Sequence, residues 1–183
     1  EDPRIVDDVL GVSREALGEI HRGPAGERAE RRVAREFPHL RRRGVEAIVV
    51  LVHQGGFQNG ANNANDINGC LGDLKNTDGS DSEIRRIVAG LDDAVDLVIS
   101  GHTHAAYNCS TNTVDVTTGS PPKYTQRSTG LPNKAGRLVP VVSSSAFGRV
   151  LSSIDVTIDP TTKDVVAVNA ENVLVDRTDP VAS

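Results

Sequence analysis

Two aliphatic runs, each ending in histidine, constrain the fold of this chain more than any other feature. The first is EAIVVLV (Glu46–Val52), followed by His53 and then Gln54, Gly55 and Gly56. The second is AVDLVIS (Ala94–Ser100), followed by Gly101, His102, Thr103 and His104. Continuous aliphatic runs of this kind are expected for strands covered on both faces of a parallel sheet. Between them lie a long polar loop and DSEIRRIVAGL (Asp81–Leu91), an amphipathic helix pattern with Ser80 or Asp81 as its cap. Strand, loop, helix, strand is the unit that forms a right-handed crossover between two parallel strands. The carboxyl ends of both strands then share one edge, where open α/β sheets place their sites. His53, His102 and His104 are therefore expected in a single crevice.

Three neutral imidazoles suit a borderline transition metal (Zn, Mn, Fe or Co) better than Ca or Mg. Gly101 lets the backbone turn between strand and ligands, and an extended His-x-His segment points both rings to one side. For a lone histidine, a hydrogen-bonded core or surface role is the ordinary reading. The pair after one strand, with a third after its neighbour, favours a metal site. His21 and His39 have no such context and read as surface residues.

Elsewhere, residues 3–20 and 27–43 have helical patterns, with Gly44 ending the second. The loop after His53 is rich in Asn, Gly and Asp, which are turn residues, and its length marks it as functional or disordered. Residues 110–136 form a long excursion, read as a hairpin. RLVPVVSSSAFG, RVLSSIDVTID and DVVAVNAENVLV follow as β segments, and the residues after Asp176 read as a tail or linker. Cys70 and Cys109 each lie in loop-like sequence downstream of a histidine-bearing strand. A disulfide between them would close a 40-residue segment and suit an exported protein; two unpaired small residues are the alternative.

A chain of 183 residues, 37% apolar and 25% charged, is long enough for one domain with a real core. No run approaches the roughly 18 apolar residues that span a membrane. Methionine is absent even at position 1, as expected of a processed chain or a fragment. The net charge of −5 weighs against a nucleic-acid polymer as partner. The LRRRG run (Leu40–Gly44) reads as a solvated helix end, its cations matching the dipole.

VISGHTH after VVLVHQGG, with PVVSSSAFGRVLSSIDVTID downstream, resembles the C-terminal half of the calcineurin-like metallophosphoesterases. Within them the resemblance is to the 5′-nucleotidase/2′,3′-cyclic phosphodiesterase branch of exported bacterial enzymes, over about Val45 to Val175. It implies a fragment of a layered α/β/β/α sandwich with mixed sheets, in a secreted, periplasmic or cell-surface protein. Residues 45–176 would be the C-terminal half of the catalytic domain, 1–44 a helical segment foreign to the family, and 177–183 a tail. The implied activity is hydrolysis of phosphate esters, nucleotides or other small phosphoesters, by a water activated at two divalent metals. His53 and His102 would bind one metal and His104 the other. The family's early Asp-x-His, bridging Asp and Asn-His ligands have no counterpart in residues 1–44. The other half of the site is thus expected on an absent segment or another chain.

Other readings remain open. Three histidines and a water make a complete mononuclear zinc site for a hydrolase or lyase. A catalytically incomplete module that only binds metal is another. A serine nucleophile in SSSAFG lacks the G-x-S-x-G elbow. NTDGSDSE misses the register of an EF-hand loop.

Overall fold

The structure, a computed structural model, describes residues 39–40, 42–58, 66–110, 114–117, 123–126 and 130–176. The expected helix at 3–20, most of that at 27–43 and the tail at 177–183 lie outside the described residues. Where the second helix is described, it ends as expected. Gly44 stands at φ 74°, and the Val45 amide reaches back to the Leu40 carbonyl at 3.1 Å, the closure of a Schellman cap.

In chain order the elements are β1 (Val49–Val52), a tight turn at Leu71–Leu74, α1 (Glu83–Gly90), β2 (Leu97–Ser100) and β3 (Ala106–Cys109). Then come β4 (Val114–Thr117), β5 (Lys123–Gln126), β6 (Leu131–Pro132), β7 (Leu138–Val139), β8 (Val141–Ser144), β9 (Val150–Ile158) and β10 (Val165–Leu174). The central sheet has the order β1-β2-β8-β3. β1, β2 and β8 run parallel, and β3 is antiparallel to β8. The fold is therefore mixed α/β, as its residue patterns predict, with the mixed sheets that the family resemblance implies. β9 and β10 form a long antiparallel hairpin, and β4–β5 and β6–β7 are small antiparallel pairs. The 110–136 excursion thus holds the expected hairpin as β4–β5, and β6 near its end pairs with β7 beyond it.

Alternation along the strands sorts the side chains into two cores. Ile48, Val52, Val98 and Val141 face α1, where Ile84, Ile87 and Val88 complete a cluster with Leu74, Leu91, Val95 and Tyr107. On the other face Leu97 and Val142 meet Ala170 of the hairpin, with Ile99, Ile154 and Val168 beside them. The described layers are helix, sheet and hairpin.

Three expectations change. Among the described residues β1 is covered on one face only: Val49 and Leu51 stay exposed, Leu51 at 52%, because the hairpin packs over β2 and β8. The helix starts at Glu83, and its capping position is Ser82 rather than Ser80 or Asp81, with no side-chain capping bond. Asp81 is taken up by Arg85, whose Nε donates to it at 2.7 Å. Cys109 lies in strand β3, not in a loop. The expected disulfide is present: Cys70 and Cys109 are joined, with Cα atoms 5.1 Å apart.

Candidate functional site

The β1–β2 register pairs Val52 with Ser100, so the residues that follow, His53 and Gly101, leave the sheet side by side. The rings of His53 and His102 then lie 5.1 Å apart between centroids, edge to face at 73°. His102 stands at φ 72° and His104 at φ 58°, a left-handed conformation that few residues other than glycine adopt. Such strain persists only where surrounding structure imposes it, and it gathers at binding and catalytic sites.

The imposing structure is visible. The Thr103 amide donates to the Gly101 carbonyl at 2.9 Å, closing a tight turn around His102. The Gly101 amide donates to the Gln54 carbonyl at 3.2 Å, and the Thr103 hydroxyl to the Gly56 carbonyl at 3.0 Å. Gly55 is required by contact: a Cβ there would sit 2.4 Å from the Gly101 carbonyl oxygen and 2.6 Å from Thr103 Oγ1. The two histidine loops thus touch, with the Thr103 side chain as the contact between them. Beneath them lies Tyr107, fully buried, its hydroxyl hydrogen-bonded to Ser100 Oγ. Burial raises the phenol above its ordinary value, opposed by bonds from Ser100, the Gly56 backbone and Ser143.

His104 takes a different course. Its ring lies edge-on to Phe147 at 5.3 Å between centroids, and its carbonyl accepts a 3.0 Å bond from Ser145 Oγ. Ser145 and Phe147 also have positive φ, at 62° and 61°. The Arg149 guanidinium lies 5.1 Å from the Phe147 ring centroid, a cation–π distance. The structure therefore brings two of the three predicted histidines together and sets the third beside the 145–149 loop. Among the described residues, no three His, Cys, Asp or Glu side chains are gathered as a metal-binding group. The donor chemistry of the pair still fits a borderline transition metal, since two imidazoles offer nitrogen ligands at one strand edge. His39, at the helix end, is exposed as expected, and His21 lies outside the described residues.

Sequence reasoning missed Thr103, Tyr107 and Phe147. The threonine sits inside the histidine motif, and its role depends on a carbonyl 47 residues away. Tyr107 carries no local signal, because nothing near it in the chain reveals that it ends up beneath Gly56.

Similarity to known proteins extends over this region. The chain is 32% identical over 138 residues to Endonuclease YhcR of Bacillus subtilis (strain 168). That stretch is 75% of this chain and 8% of the relative, so the chain spans under a tenth of the protein it matches. No protein-family model matches the chain.

Proposed function

We propose that this chain carries part of a metallophosphoesterase-type site that hydrolyses phosphate esters, at the carboxyl ends of β1 and β2. The observation that carries the reading is the approach of His53 and His102 to 5.1 Å, with His102 held at positive φ. Likeness to a protein named as an endonuclease supports phosphoester cleavage as the reaction class. His53 and His102 would share one divalent ion (Zn, Mn, Fe or Co), and His104, by turning from Phe147, would serve a second. Bound metal would polarise a phosphoryl oxygen and lower the pKa of water. The chain's own contribution is positional. Gly55 leaves room for the loop that carries His102, Gly56 lets the backbone pack against Ser82, Ile84 and Leu74, and the turn at Gly101–Thr103 aims the His102 ring at His53.

The substrates we favour are nucleotides and other small phosphoesters. The net charge of −5 counts against a polynucleotide, and the relative's name counts for one. The disulfide fits an exported protein, secreted, periplasmic or at the cell surface.

Elemental mass spectrometry of the purified 183-residue chain counts the ions it holds alone, and about two with turnover would mean that the remaining ligands of a dinuclear site lie within residues 1–44. Parallel assays with nitrophenyl phosphate, a nucleoside monophosphate and DNA would show which ester is cut. His102→Ala should lose both metal and turnover; a fully metallated, active His102→Ala protein overturns the assignment. One ion with turnover would instead indicate the mononuclear zinc hydrolase. A second reading, a binding module completed by ligands from elsewhere, is favoured by the lack of a third donor beside the pair among the described residues. Its signature is metal uptake with no turnover on any of the three substrates.

A further inference from the structure

We propose that Thr103 is a positioning residue: its hydroxyl latches the two histidine loops together and thereby sets the separation of His53 and His102. The inference rests on the reading of these histidines as metal ligands. Ladder pairing between β1 and β2 ends at Val52 and Ser100, one residue before the first histidine. Beyond that point two loops of glycine-rich backbone would each be free to move, and ordering them costs about 1–2 kcal/mol per residue. Two interactions take over where the ladder stops. The Gly101 amide reaches the Gln54 carbonyl, and the Thr103 hydroxyl reaches the Gly56 carbonyl.

Gly56 is thereby held by a side chain from the loop that carries His102 and His104. The Thr103 bond is contributed by the residue between the two histidines. Its geometry also explains why Gly55 has no side chain, since the hydroxyl occupies the place where a Cβ would project. Groups that orient metal ligands without touching the metal commonly change metal affinity by about 10–100-fold when removed. Here the orientation acts through the loop backbone rather than through the imidazole nitrogens.

Thr103 is only half-buried, so Thr103→Val deletes the donor while keeping the shape, and Thr103→Ser keeps the donor. The readout that needs no metal is the nuclear Overhauser contact between the His53 and His102 rings. It should be strong in the native chain and in Thr103→Ser, and lost in Thr103→Val, with the fold intact by amide spectra. Zinc titration by calorimetry should show affinity about 10-fold or more weaker in Thr103→Val and close to native in Thr103→Ser. A Thr103→Val chain with native ring contact and native zinc affinity overturns the latch. An intact ring contact in the native chain, its loss in Thr103→Val and no zinc uptake by any variant would support the geometric latch. That same result would overturn the metal reading.

Discussion

Gly55 is the residue whose replacement the site tolerates least. A methyl group there would meet the Gly101 carbonyl at 2.4 Å, and that contact is backbone, so no side-chain rotation relieves it. Gly55→Ala should destabilise by about 1–3 kcal/mol, the usual cost of overpacking, and part the two histidine loops. Urea titration with the ring contact as a second probe would separate the two effects. Tyr107 makes a different prediction. Its phenol is held neutral by burial, with its folded pKa raised above the ordinary 10.0. The folded state keeps that proton at pH values where the unfolded chain releases it. The stabilisation is therefore complete below pH 10.0 and is lost as pH rises through the folded value. Thermal midpoints taken on either side of that pH should fall in the native chain and fall less steeply in Tyr107→Phe. At neutral pH the same variant should lose about 1–3 kcal/mol through the partners it strands.

At the scale of elements, the β9–β10 hairpin is held to the sheet by a polar connection as well as by an apolar one. Asn172, buried in β10, shares its two Nδ2 hydrogens among the carbonyls of Ile67 at 2.7 Å, Tyr107 at 3.1 Å and Ser143 at 3.0 Å. Its amide donates to Asn68 Oδ1 at 2.7 Å, and Asn68 Nδ2 returns a bond to the Asn172 carbonyl at 2.9 Å. Asn108 of β3 joins through Asn68 and the Ala170 carbonyl. One residue thus ties the hairpin, two strands of the sheet and the loop before Cys70. Asn172→Ala would leave several buried carbonyls without partners, at about 1–3 kcal/mol for an orphaned group. A urea midpoint unchanged by that substitution would mean that apolar packing alone docks the hairpin. Ser82 shows the converse. Its buried hydroxyl has no hydrogen-bond partner among the described residues, so it contributes nothing visible as a cap to α1.

Across the whole molecule, the Cys70–Cys109 bridge joins the loop after β1 to strand β3 across a separation of 39 residues. Closing a loop of that length in the unfolded chain corresponds to about 4 kcal/mol of stabilisation on the chain-entropy estimate. Reduction should lower the thermal midpoint accordingly, and calorimetry with and without a thiol reductant would measure it. The parallel strands, α1, the hairpin strands and the bridged cysteines were legible in the residues because aliphatic runs, 3.6-residue periodicity and strand alternation are local patterns. The placement of His53 and His102 at one edge was legible too, since parallel pairing forces adjacent strand ends together. Three features were not legible: the face of β1 left open among the described residues, the turning of His104 toward Phe147, and the grip of Thr103 on Gly56. Each depends on what a distant segment covers or touches. The sequence by itself determined which elements form and which strand ends carry histidine. Only the tertiary structure decided which imidazoles face each other, because ring orientation is set by hydrogen bonds between loops far apart in the chain.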